Sequence, residues 1–561
     1  MLPFPVTLPP IGDRKGNMEL PGCRSEVNRV RVYLMKILNR LVKCMELEDC
    51  MSGLQPSRIR QLRQRALFEQ DPARRGNSLS FAGAIVCGFR ALVDNIARSG
   101  KFIGMILAET QNDGCPAMAR ASYSYTGLKF KCMKKSLSVF MLLMAFGSVL
   151  EAKTNTAASV SYADVLTAYN ACVNGDVLAI PAGSASWNNS SITVAKAISI
   201  VGAGTNLTFI SQPSQNTFWL VNPVSGKLVS IGNMSLTSPG NAVGSYPINV
   251  QNGSGIGWIR LHHINFTNGY SAINVTFNGG RCFGVIDHCL FYNPDICIQL
   301  NGNTHIWDDP ILAGTTNTMV IEDCTFIQDA GANTADNQEP IMSGHGVKEV
   351  VRHCRWDMTG YPSTVACYPM EWHGQGNAYT GTDNDLRGPP LMEIYNNTFN
   401  LGTRTGGRVF NNRGGSTLCF SNTVNYTGSM AFMSMTEDFA LRIPPEYTTW
   451  AGSDQVENSY YWSNTVNGTL TTSYTLYDSL LSPFIQQGRD YFLYAPNATS
   501  GRVYWTDHPG GHAAVYTNGP SAYYPYTPLV YPHPLVTAQD GGGQGQTLTP
   551  PTNLRVITVT N

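Results

Sequence analysis

Two adjacent columns of ionisable residues are where this 561-residue chain could do chemistry. When its recurring segments are set beneath one another, His262, Asp287, Glu322 and Arg352 share one position. His263, His288, Asp323 and His353 share the next. If the segments are successive coils of one parallel sheet, equivalent residues lie about 4.8 Å apart. Carboxylates and histidines at that spacing, beside an arginine, can hold a cation and move a proton. The competing reading is solubility, since outward turn positions of any repeat are polar and charge clusters mark sites only statistically.

A second group lies between the segments. Glu371, Trp372 and His373 fall in what reads as the longest insertion, with Tyr368, Trp356 and Tyr379 nearby. Aromatic faces there could stack on sugar rings while the acid and imidazole bind hydroxyls; packing of a loop against the scaffold is the alternative. Ser343, Gly344, His345 and Gly346 form a short Gly-His-Gly stretch, preceded by the acid pair Asp308 and Asp309.

What must position these residues is a repeat. The segments are 229–236, 259–266, 284–291, 319–326, 349–356, 392–399, 417–424 and 459–466. Their third positions read Ile231, Leu261, Ile286, Ile321, Val351, Ile394, Cys419 and Tyr461. Their eighth read Leu236, Phe266, Phe291, Phe326, Trp356, Phe399, Val424 and Val466. Between these runs a column of Met234, Ile264, Cys289, Cys324, Cys354, Asn397, Asn422 and Asn464. A single coil cannot bury its apolar side, so like residues must pile into ladders. The asparagines would pass amide hydrogen bonds from coil to coil, and the cysteines would stack as small buried hydrophobes. Short β-branched strands between polar turns point to an all-β, right-handed parallel β-helix. A β-sandwich would not keep eight segments in register.

The opening of this region carries a family likeness. Residues 162–183, ending in Gly175-Asp176 and Pro181-Ala182-Gly183, precede Ile200-Val-Gly202-Ala-Gly204. Together they resemble the start of pectate-lyase-like β-helix proteins, in which a helix caps the solenoid and the next two motifs enter and close its first coil. The resemblance extends over about residues 160–535 and specifies fold better than chemistry. It implies calcium held by Asp287, Glu322 and Asp323, with Arg352 as the base of a β-elimination and His288 and His353 beside it. Ser343–Gly346 also resembles the Gly-His-Gly of polygalacturonases, which would make His345 catalytic in an inverting hydrolysis. That family's Asn-Thr-Asp is misplaced here, as Asn333, Thr334, Ala335 and Asp336, and its Arg-Ile-Lys is missing. Residues 524–535 resemble the tail of secreted bacterial β-helix proteins. A Gly-rich linker at 541–546 and a short tail end the chain at residue 561.

Upstream, Met133 is followed by Lys134 and Lys135, an uncharged apolar run from Leu137 to Leu150, and Ala152. That order of charged, apolar and small residues is the pattern of a secretory signal peptide over 133–152. Ala152 is one cleavage position and Ala158 a second. Residues 1–132 hold 20 Lys/Arg against 11 Asp/Glu, which leaves 18 against 27 for the remainder. This asymmetry marks 1–132 as a separate basic segment outside the mature protein. The mature chain, 153–535 plus its tail, is acidic and lacks aromatics interleaved with Lys/Arg, which disfavours nucleic acid. It carries no Rossmann or P-loop fingerprint, so no nucleotide cofactor is expected, and no transmembrane segment. The expectation is a secreted monomer acting on an acidic polysaccharide or cell-surface glycan, a calcium-assisted lyase first. A polygalacturonase-like hydrolase and a non-catalytic glycan-binding adhesin are the alternatives.

Overall fold

A two-residue turn sets the geometry of the described residues. In most coils one strand ends, two residues turn the chain, and a second strand begins; Leu228–Thr237 and Ile256–Thr267 run through the same turn unbroken. The residue in the middle takes a left-handed conformation: Asn233, His263, His288, Asp323, His353, Asn396, Ser421 and Ser463 all have φ between 50° and 58°. Asn, Asp and His are the side-chain-bearing residues that tolerate this region best. The column of His263, His288, Asp323 and His353 therefore has a backbone reason to exist.

The structure, a computed structural model, describes residues 152–540 apart from 215, 239–245, 278, 303–310, 333–338, 345, 374–387, 437–449, 451–454 and 506–513. Most coils supply three strands, one to each of three parallel faces; in two of them a single long strand, Leu228–Thr237 or Ile256–Thr267, spans the first two faces. Face A contains Arg281–Asp287, Met319–Glu322, Lys348–Arg352, Leu391–Tyr395 and Thr417–Phe420. Face B follows the turn, with Leu290–Tyr292, Thr325–Ile327, Arg355–Asp357 and Thr398–Arg404. Face C holds ten strands, among them Ser271–Thr276, Ile296–Asn301, Ile341–Gly344, Met370–His373, Arg408–Arg413 and Ala431–Met435. Registers are in step: Ile286 pairs with Ile321, which pairs with Val351, which pairs with Ile394. This is the parallel β-helix that the repeat required, right-handed as parallel crossovers are.

The interior is stacked like on like. Phe266, Phe291, Phe326, Trp356 and Phe399 form one column, with successive ring centroids 5.0, 5.0, 4.6 and 4.2 Å apart. Asn397 Nδ2 donates to Asn422 Oδ1 at 3.0 Å, and Asn422 Nδ2 donates to Asn464 Oδ1 at 3.0 Å. Cys289, Cys324 and Cys354 are buried free thiols in the same column. At the start, helix α1 (Tyr162–Ala171) is capped by Ser161, whose side chain accepts from the Asp164 amide, and buries Val165, Ala168 and Tyr169 over the first coil.

Phe326 sits in the middle of the aromatic column and is fully buried. Phe326→Ala is expected to cost about 3–5 kcal/mol in urea unfolding. Phe209→Ala, at a residue 43% exposed, is expected to cost under about 1 kcal/mol. Equal losses would contradict the ladder as a source of stability.

Candidate functional site

The first column does not face water. Outside face A lies a strap formed by the last described residues, 521–540, and it seals the carboxylates in. Arg260 makes a two-pronged contact with Asp287, Nε to Oδ1 and Nη2 to Oδ2, both at 2.9 Å. Arg352 Nε and Nη2 meet Glu322 Oε2 at 2.8 and 2.7 Å. All four side chains have zero exposure. Their remaining valences hold the strap. Arg352 donates to the Leu529 carbonyl at 2.5 Å and the Val530 carbonyl at 2.9 Å. Arg260 donates to the Leu535 carbonyl at 3.2 Å, and the His533 amide donates to Glu322 Oε1 at 2.8 Å. Beside them Tyr526 donates to Glu393 at 2.5 Å, and the amide of Gly314 donates to the same carboxylate at 2.9 Å. A Cβ on Gly314 would lie 1.9 Å from the Thr527 carbonyl oxygen. Leu529, Leu535 and Val536 then pack on Trp258, Phe283, Val285, Val320, Val350, Tyr395 and Phe420.

Protonation follows this burial. For Asp287, burial pushes the carboxyl up, but the Arg260 and His288 hydrogen bonds and charge outweigh it and the net shift is downward. Burial wins at Glu322, which moves up against the His533 amide and Arg352. His533, in the strap and fully buried, is pushed down to about 3 by burial and by Arg352, so it is a neutral ring.

These contacts correct the calcium reading. The oxygens of Asp287 and Glu322 already accept from guanidinium and amide groups, and the Arg352 guanidinium is occupied on every side. Calcium takes six to eight oxygen ligands, and among the described residues no cluster of three or more His, Cys, Asp or Glu could hold a metal. The residues do not fit the ion, and Arg352 cannot reach a substrate proton from beneath the strap. The second column lies at the strap's edge. His263 and His288 stack with centroids 4.8 Å apart. His288 Nδ1 lies 3.1 Å from Asp287 Oδ2, and that bond raises its pKa. Asp323 accepts from Tyr531 Oη at 2.9 Å, and His353 stacks on the Tyr531 ring at 3.9 Å, its pKa lowered by burial.

The second candidate group also changes character. Met370–His373 is a strand of face C, not an insertion. Trp372 points inward with zero exposure, so it cannot stack on a sugar, and Trp356 is likewise in the core. Glu371 lies on the opposite side of the strand from Trp372 but is itself buried, at 3% exposure. Asn411 Nδ2 and Arg413 Nη1 both donate to it. Register aligns Met342, Glu371, Asn411 and Ser434 in one row, and Gly344, His373 and Arg413 in another. Arg408 lies between two rings, 4.9 Å from the Tyr368 centroid and 4.8 Å from that of Tyr477, and donates to Asn411 Oδ1 and Ser434 Oγ. Earlier coils continue the row with Asn249, Asn274 and Gln299. Sequence reasoning missed Arg408, Asn411 and Arg413, because Arg-Val-Phe-Asn-Asn-Arg over 408–413 has no polar–apolar alternation to assign its faces. His345, Asp308, Asp309, Asp336 and Tyr379 lie outside the described residues.

No family model matches the chain, and no curated protein matches it. Among solved structures, an alginate lyase from Paenibacillus sp. str. FPU-7 aligns over 61% of this chain and 99% of its own at 11% identity, with a TM-score of 0.33. ORF18 of Geobacillus virus E2 aligns over 55% and 59% at 14% identity, with a TM-score of 0.16. Superpositions this loose carry no argument about chemistry; the fold rests on the strand registers. Among the described residues no helix is long and apolar enough to cross a membrane.

Two outcomes follow from these burials. Arg352→Ala leaves Glu322 buried without its cation and is expected to cost about 3–5 kcal/mol in urea unfolding, with the strap newly open to proteolysis near Leu529. Inside the solenoid, Glu349 is fully buried, with only Ser343 among the described residues donating to it, and burial pushes its carboxyl up to about 8. Its neutral form is the folded form. Stability from this group is greatest below its ordinary value near 4.5 and is lost as pH rises toward about 8. Glu349→Gln should remove that decline, on the order of a few kcal/mol, read as thermal midpoint against pH. A variant with the parent's pH slope would refute the assignment.

Proposed function

We propose that this protein is exported and acts on an acidic polysaccharide held along the outer side of face C, cleaving it by β-elimination. One observation carries the reading: Glu371, Asn411, Arg413 and Arg408 form a connected polar group on two neighbouring strands, in which Glu371 and Asn411 are buried and the Arg413 side chain, 19% exposed, reaches the surface. Eliminating across a uronate requires positive charge on the sugar carboxylate and a base at the adjacent carbon. Arg413 and Arg408 supply the charge, the latter held rigid between two tyrosine rings. Glu371 is the carboxylate placed to accept a proton, and His373 occupies the position opposite Arg413 on the next strand. No step passes through a metal. The amide row of Asn249, Asn274 and Gln299 favours a second reading, a non-catalytic surface that hydrogen-bonds glycan hydroxyls.

Incubation with a panel of acidic and neutral polysaccharides, followed by unsaturated-sugar absorbance and new reducing ends, separates the two. Absorbance that falls about 100-fold or more in Glu371→Gln and Arg413→Ala, with unchanged circular dichroism, is the expected result. Glycan retention without absorbance or reducing ends leaves the binding surface. Reducing ends without absorbance would transfer the reaction to hydrolysis and overturn the elimination.

A further inference from the structure

The first described residues are already part of the solenoid. Strand β1 (Thr154–Thr156) pairs in parallel with Val177–Ile180, Thr154 opposite Val177 and Thr156 opposite Ala179. The Val177 amide donates to the Lys153 carbonyl at 2.8 Å, and the Ala157 amide donates to the Ala179 carbonyl at 2.9 Å. Asn155 and Ala157 are buried, at 8% and 3% exposure, whereas Ala152 and Lys153 are exposed. Beneath Lys153 lies Asp176, 5% exposed. Its Oδ2 accepts from the Val173 amide at 2.8 Å and from Asn155 Nδ2 at 3.1 Å; its Oδ1 accepts from the main-chain nitrogen of Lys153 at 3.1 Å.

We propose that the Ala152–Lys153 bond is the processing site of the exported chain, and that the Lys153 α-ammonium it releases pairs with Asp176. The inference rests on the export reading and goes beyond it. Hydrolysis adds one water across the amide: the leader leaves with the Ala152 carboxylate, and the nitrogen that now donates one proton to Asp176 becomes a cation. An amide–carboxylate hydrogen bond becomes a charge-assisted one without moving an atom of the scaffold. The alternative cut after Ala158 is excluded by the same contacts. It would remove the whole of β1, strip Val177 and Ala157's partner Ala179 of their strand, and leave Asp176 Oδ1 without its donor. Its scissile bond joins the exposed Ala158 to Ser159, whose hydroxyl donates to Asp164 at 2.5 Å. The bond at Ala152 has neither obstacle, and a small residue stands before it.

The test uses the full coding sequence in a secreting bacterial host, so that translation from either Met1 or Met133 is possible. Intact mass and amino-terminal sequencing of the external product should give Lys153 as the first residue. A product beginning at Ser159 would overturn the site while leaving export intact; a chain retained in the cell with its leader would overturn both. A second measurement addresses the pairing. After reductive methylation with a carbon-13 label, the α-amine should titrate at least one unit above the ordinary value of about 8, and return toward it in Asp176→Asn. An α-amine titrating at its ordinary value in the parent protein refutes the ion pair, whether or not the variant folds.

Discussion

Everything in this molecule depends on strand register being kept from one coil to the next. A parallel solenoid adds one coil per strand spacing, so a residue meets its equivalent from the neighbouring coil before it meets anything else. Like must therefore tolerate like. Aromatic rings stack, amides exchange hydrogen bonds, and thiols fill a narrow column, while a run of equal charges would repel. The left-handed turn residue enforces that register, since an added or lost residue there would carry every following side chain to the other side of the sheet. That requirement selects Asn, Asp, His and Ser at the turn, and it explains a column of histidines without appeal to catalysis.

Where unlike charges do stack, they need a cover. Arg260 with Asp287 and Arg352 with Glu322 stand on the outer side of face A, surrounded by valines and aromatics. Half-buried, such pairs would combine the cost of desolvation with weak, screened attraction. The strap removes the remaining water and satisfies the spare donors with its own carbonyls. Two layers thus share one electrostatic seam, and the terminal segment of the solenoid's chain becomes part of its core. The consequence for function is direct. Groups that look like an acid–base cluster are committed to holding the strap.

The start of the solenoid obeys the same rule of completed valence. The first coil is closed from above by α1 and from the side by β1, with Asp176 gathering the donors where the two meet. Interior polar groups such as Asn397, Asn422 and Asn464 satisfy each other in series. Glu349 breaks the pattern: among the described residues it has a single hydroxyl partner and no cation beside it, and it remains in the interior by keeping its proton.

From the sequence alone, the repeat was legible, because each ladder is made by residues at fixed spacing and the physics of stacking acts on residue type. The columns of Ile286, Phe291 and Cys289 and of Asn397 could be read directly, as could the helical cap and the first coil. Which outward residues face water could not. Alternation along a strand separates inside from outside, yet it carries no information about a second layer arriving from more than 170 residues away, as Leu529 and Val530 do at Arg352. The same limit misplaced Trp372, whose type suits a sugar but whose parity on its strand points it into the core. Local periodicity determined the coils; long-range packing alone decided which charges are free, because exposure is a property of what covers a residue and not of the residue itself.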